Sequence, residues 1–236
     1  MRGICLRLLH VLQNIIASVP LLNVMTAPLT LVSLPLFPLH TVLFPGGLLP
    51  LRVFEPRYRT MVRCCREQGA PFGVVTLLSG DEVQRPQSER ESFHPIGTIA
   101  SIESVEPLST GLELIQCLGK DRFRIQQTRK LTGGLWVADV ELLPPDQATP
   151  IPDDLRHSAK ALKQVLHKLP QRHAERAGAA EFGDCGWVAN RWCELFPMEE
   201  SLQLQLMQMD SPLLRLELVT DALERSGIVL RQHIQT

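Results

Sequence analysis

The chain has 236 residues, of which 44% are hydrophobic and 21% charged, with a formal net charge of -1. That length fits one large domain or two small ones with a real core, since ~150 residues already bury roughly 70% of their unfolded surface. Near-neutral charge gives no global field for nucleic acid or an anionic membrane, so any such binding must rest on a local patch.

Residues 1–28, "MRGICLRLLHVLQNIIASVPLLNVMTAP", have the basic start and apolar character of a secretory signal, but His10, Gln13 and Asn14 interrupt the run and no small-x-small cleavage site follows. The segment is also too polar to span a bilayer. It is expected to be a loosely ordered extension, with translation starting at Met25. The next stretch, "LPLFPLHTVLFPGGLLPLRVFEPRYR" from Leu34 to Arg59, is apolar yet holds Pro35, Pro38, Pro45 and Pro50 and the adjacent Gly46 and Gly47. Proline neither donates to a ladder nor continues a helix, so short extended pieces must meet at a turn, and Pro45-Gly46-Gly47 suits one. Tyr58, Met61, Val62 and Cys65 then recur at helical spacing, with Pro56 suited to the first turn and Gly69 to the residue after the last.

Beyond this helix the period becomes two. Strands are expected at Phe72–Leu78, Ile96–Val105, Leu112–Leu118, Arg122–Thr128 and Leu135–Leu143. Ser109-Thr110-Gly111 and Gly119-Lys120-Asp121 read as tight connections in an antiparallel meander, and residues 81–92 as an exposed polar loop. The proline-rich Leu143–Asp154 marks a boundary, which divides the chain into an extension (1–28), a β-rich unit (29–150) and a helical unit (151–236). In the last unit Leu155, Ala159, Leu162, Leu166 and Leu169 share one helix face behind Asp153 or Asp154. After a polar loop at 171–183 come the Trp-rich helix "GWVANRWCELF", a break at Pro197, "MEESLQLQLMQM", and a helix started by Ser211-Pro212 and ended by Gly227.

Catalytic patterns are hard to find. Gly119-Lys120 is followed by Asp121 where a phosphate loop needs a hydroxyl, and HExxH, GxSxG and GxGxxG do not occur. The six cysteines (Cys5, Cys64, Cys65, Cys117, Cys185, Cys193) include no CxxC pair. This usage indicates a reducing, cytoplasmic compartment and gives no zinc-ligand spacing, so neither metal nor cofactor is expected. Cys64 has Arg63 and Arg66 beside it, which is some of what a nucleophilic thiolate needs. Arg52, Arg57, Arg59, Arg63 and Arg66 form either a stripe for an anionic partner or the ordinary wet face of a helix.

"LPLFPLHTVLFPGGLLPLRVFEPRYRTMV", followed in order by "FGVV", "GTIASI" and "GKDRFRI", strongly resembles the N-terminal substrate-binding domain of the Lon protease family, and in particular short bacterial proteins carrying this domain alone. The likeness covers about residues 31–143, and "RWCELFPMEESLQLQLMQMDSPLLRLE" resembles the family's C-terminal part. It implies an α+β fold, a PUA-like β pseudobarrel followed by a C-terminal helical bundle. In that pattern Pro45 and Gly46 make the turn, Phe54 and Tyr58 anchor the helix to the barrel, and Gly97, Arg122 and Phe123 lie on barrel strands. The family's ATPase and Ser-Lys peptidase modules follow this domain, so the resemblance implies no enzyme activity here. It implies binding of unfolded or damaged client proteins, or docking to a protease or chaperone partner. The alternative is RNA binding by a PUA-like barrel through Arg52, Arg59, Arg63 and Arg66, for which one Tyr and 5% aromatics offer few stacking platforms. An unrecognised hydrolase built around Cys64 is a third reading.

Overall fold

In the computed structural model, described over residues 28–83, 91–168 and 181–228, the alternating segments become strands that close on one another. They are β1 (Thr30–Leu39), β2 (Leu48–Val53), β3 (Phe72–Ser79), β4 (Ser92–Phe93), β5 (Ile96–Ser109), β6 (Leu112–Lys130) and β7 (Trp136–Leu142). The sheet order is β1-β7-β6-β5-β3-β4, with β2 on the first half of β6. A parallel pairing of Leu36–Leu39 with Gly73–Thr76 joins β1 to β3 and closes the barrel. The β5-β6-β7 run is the expected antiparallel meander. The proposed extension with its start at Met25, most of the loops at 81–92 and 171–183, and Leu169 lie outside the described residues.

One sequence expectation needs correction. Gly119-Lys120-Asp121 is not a tight connection, because β6 runs unbroken through it for 19 residues. Gly119 is there for close approach. Its N–H donates to Gly47 O and its carbonyl accepts from Gly46 N, both at 2.8 Å, and a Cβ on it would lie 2.3 Å from the Phe44 carbonyl oxygen.

The helix α1 (Pro56–Gln68) has Pro56 in its first turn and ends at Gly69, whose φ of +62° lets Gly69 N and Ala70 N bond back to Arg66 O and Cys65 O. Its buried face of Tyr58, Met61, Val62 and Cys65 packs with Phe37, Leu39, Phe72 and Val74. A second cluster, Leu34, Leu36, Val75, Ile99, Phe123 and Val140, fills the barrel. After a 3-10 turn (Asp153–Leu155) come α2 (Arg156–Lys168), α3 (Cys185–Leu195), α4 (Glu200–Gln208) and α5 (Pro212–Arg225). Asp184 caps α3 by accepting from Trp187 N, and Ser211 caps α5 by accepting from Leu214 N. Gly227 follows α5 with φ +71°. Among the described residues no helix is long and apolar enough to cross a membrane.

The helices and the barrel share a core. Val42, Phe44 and Ile96 from the β-rich unit are buried together with Leu162, Val188, Trp192 and Leu216. Two arginines reinforce this contact. Arg122 on β6 donates to Met207 O and Met209 O at 2.9 and 3.0 Å, just where α4 ends. Arg215 on α5 donates to Leu206 O, Met209 O, Asn190 and Asp146, and Asp146 also lies 3.5 Å from Arg122.

Candidate functional site

The expected motif residues divide into those that hold the two units together and those that face solvent. Pro45 and Gly46 form the β1–β2 turn, with Gly46 at φ +74°. Arg191 of α3, buried at 3% exposure, donates to the Pro45 carbonyl at 2.9 Å and to Glu194 at 2.6 Å. A Cβ on Gly46 would come within 2.9 Å of Arg191 Nη1, and one on Gly47 within 2.1 Å of Glu194 Oε1. The glycines therefore serve the docking of α3 as well as the turn. Gly97 lies on β5, where a Cβ would meet Val74 O at 2.5 Å and the Phe123 ring at 2.6 Å. Tyr58 is buried, stacked on Phe37 at 4.1 Å between ring centroids, and burial pushes its phenol well above the usual range. Phe54 does not anchor α1. It is 49% exposed, and Phe37 supplies the ring that Tyr58 packs on.

Arg57, part of the sequence stripe, is withdrawn from it. It sits 4.5 Å over the Tyr58 ring, donates to Gly134 O at 2.9 Å and lies 3.2 Å from Glu55 and 3.6 Å from Glu91. Glu91 also accepts from Lys130 Nζ at 2.5 Å and Trp136 Nε1 at 2.8 Å. Burial pushes the Glu91 carboxyl up, but the bonds from Lys130 and Trp136 and the charges of Lys130 and Arg57 outweigh it and leave the group below its ordinary value. By contrast Arg52, Arg59, Arg63 and Arg66 are exposed.

Three clefts among the described residues border α1. A cleft of about 410 Å³ runs between α1 and the first half of β1, lined by Leu31, Val32, Leu34, Pro35, Met61 and Leu135. Thr60, Cys64, Cys65 and Gln68 complete its α1 side, and none of its lining residues is charged. The same half of β1 is irregular. Between Leu31 and Leu34 its register with β7 shifts, and Ser33 has a φ of +61°, rare for a residue other than glycine. The Ser33 N–H donates to Asp139 Oδ1 at 2.9 Å and Arg129 donates to its hydroxyl, so the conformation is held from β6 and β7. Val32, on the bulge, is 73% exposed. Because β3 pairs with β1 only from Leu36 onward, residues 30–35 have no strand on that side among the described residues. A second cleft of about 630 Å³ borders Ser101–Val105 of β5 and holds Arg66, Glu103, Lys120 and Asp121.

Burial holds the other thiols protonated: Cys117 and Cys193 are pushed up to about 12 and Cys185 to about 11. Among the described residues no group of three or more His, Cys, Asp or Glu is placed to hold a metal ion.

Residues 33–225 match the model of the ATP-dependent protease La (LON) substrate-binding domain. The chain belongs to that family. The solved structure of a Lon N-terminal domain protein from Xanthomonas campestris is 34% identical, superposes with a TM-score of 0.65, and is matched over 81% of this chain and 98% of that one. Protein cereblon of Xenopus tropicalis is 28% identical over 160 residues, 66% of this chain and 33% of cereblon. The Lon protease of Flavobacterium johnsoniae is 33% identical over 97 residues, 41% of this chain and 12% of the protease. The chain thus spans a third or less of the length of these two relatives. The pseudobarrel with helices behind it is the Lon N-terminal fold, and the matched part is a substrate-binding domain.

Sequence reasoning missed Arg191, Arg215, Asp146 and Glu91. A signal existed for the first two, since "GWVANRWCELF" and "PLLRLELV" each place one arginine inside a mostly apolar helical pattern. Nothing in the sequence pointed to the bulge at Ser33.

Proposed function

We propose that this Lon-type domain is a non-catalytic binding module that recognises exposed apolar segments of unfolded or damaged polypeptides and works in a reducing compartment such as the cytoplasm. The uncharged cleft between β1 and α1 carries the reading, because it offers apolar side chains and a strand edge that has no neighbour among the described residues. Family membership supports it, since the matched model is the substrate-binding part of Lon. A role without chemistry of its own is supported by burial that raises the Cys117 and Cys193 thiols and by the engagement of the two buried arginine–carboxylate clusters in holding strands and helices together. The exposed Arg52, Arg59, Arg63 and Arg66 favour a second reading, RNA binding.

The test uses one probe protein in native and permanently unfolded forms, with binding followed by fluorescence anisotropy and turnover of ATP and peptide measured alongside. Binding of the unfolded form alone, without turnover above a buffer blank, is expected. Equal binding of both forms, or turnover that survives repurification, would contradict the proposal.

A further inference from the structure

The surfaces on the two flanks of α1 differ in character. One flank forms the uncharged cleft along β1. On the other, Arg59, Arg63 and Arg66 line a concavity of about 320 Å³ with Glu113. The two meet at Thr60, which lines both. The three arginines recur four and three residues apart on α1, and none is ion-paired among the described residues. Arg66 in the last turn suits the helix dipole, but like charges at these spacings weaken a helix, so folding alone does not favour the set. Opposite the arginines, the half of β1 that pairs with β7 alone is shaped by a bulge held in a strained conformation, a device that re-aims side chains and recurs where a strand does more than pair.

We infer that the cleft takes an extended polypeptide segment, which adds as a strand to β1 beside Leu31–Pro35, seats its apolar side chains against Leu31, Leu34, Met61 and Leu135, and crosses at Thr60 to place acidic residues on Arg59 and Arg63. This rests on the protein-binding reading above and specifies its substrate as apolar with an acidic flank. An open edge supplies main-chain donors and acceptors to any sequence, while the pockets beside it choose the side chains. The positive charge across the ridge selects the flank. A nucleic acid fits less well. The cleft has no charged lining residue, Tyr58 is buried, and Phe54 is the aromatic ring exposed among the described residues.

The experiment uses the full chain and fluorescein-labelled peptides. The parent is an alternating Val-Thr segment preceded by glutamates. One control carries lysines in place of the glutamates, and another is N-methylated at alternate backbone nitrogens, which blocks strand pairing and keeps the side chains. The parent should bind. N-methylation should weaken it about tenfold, from the loss of main-chain hydrogen bonds. The lysine peptide, and the Arg59→Glu plus Arg63→Glu protein with the parent peptide, should each bind about fivefold more weakly. Val32→Asp, at an exposed position that leaves the melting temperature unchanged, should lose binding.

Equal affinity for the N-methylated and parent peptides would overturn strand addition, and equal affinity for glutamate and lysine peptides would overturn the acidic preference. A mixed-sequence RNA that binds more tightly than either peptide, and is released by the double arginine substitution, would assign the surface to nucleic acid. A dimer that Val32→Asp converts to monomer would assign the cleft to a second copy. Peptide binding by a chain starting at Met25, but not by the full chain, would assign it to the chain's own first residues. Failure here stays distinct from failure of the broader reading: an unfolded probe protein still bound by Val32→Asp leaves the binding module standing and removes this cleft from it.

Discussion

Gly119 shows how one residue type can serve different ends. In sequence it reads as a turn glycine beside Lys120 and Asp121, but in the structure it lies within β6 against the backbone of Phe44 and Gly47. The missing side chain matters there, and conformational freedom does not. Gly119→Ala is therefore expected to destabilise by about 2–3 kcal/mol, as overpacking against immobile backbone does. A turn glycine with positive φ would instead tolerate asparagine, so Gly119→Asn should be at least as damaging as alanine in a urea melt. Glu91 makes a second prediction at this scale. Its carboxyl is held below its ordinary value, so it contributes stability that is present above the unfolded pKa near 4.5 and is lost as pH falls through the lower folded value. Melting temperature should drop more steeply below about pH 4.5 in the wild type than in Glu91→Gln, with Glu91→Gln the less stable of the two at pH 7. Parallel curves would show that Glu91 has no such role.

At the scale of elements, the sequence showed most of what alternates or recurs. The helix from Pro56 to Gly69, the meander and the last helix between Ser211 and Gly227 each had both a period and an end signal. The sequence was silent where pairing is set by distant partners. The parallel joining of β1 to β3 depends on residues 36–39 meeting 73–76, and the bulge at Ser33 is fixed by Asp139 and Arg129 from other strands. No local pattern encodes either feature, and the cleft depends on both. The same limit hid the clamp between β6 and the helices, in which Arg122 and Arg215 share Asp146 and the carbonyls at the end of α4. Arg122→Met should cost about 1–3 kcal/mol, since Met207 O loses its buried donor while Asp146 and Met209 O keep Arg215. A loss near zero in chemical denaturation would show that the arginine is replaceable by apolar packing.

Across the whole molecule, the shared core of Val42, Phe44 and Ile96 with Trp192 and Leu216 ties the barrel to the helices. A fragment ending near Pro150 would expose that face. Large apolar side chains are worth roughly 1.5–3 kcal/mol each when buried, so the fragment should aggregate or bind hydrophobic dyes. A soluble fragment of residues 25–150 that unfolds cooperatively would show two independent units instead.

A domain that reads polypeptide through apolar contact binds with little dependence on salt, whereas one that reads phosphates does not. An unfolded probe protein and a mixed-sequence RNA are titrated at ~50 and ~200 mM salt, where four arginine–phosphate contacts on a single strand would weaken binding by ~50-fold. Affinity for the unfolded protein is expected to fall only a few-fold over this range, with RNA binding weak at both concentrations. Tight RNA binding that collapses with salt, beside little or no binding of the unfolded protein, would contradict polypeptide recognition.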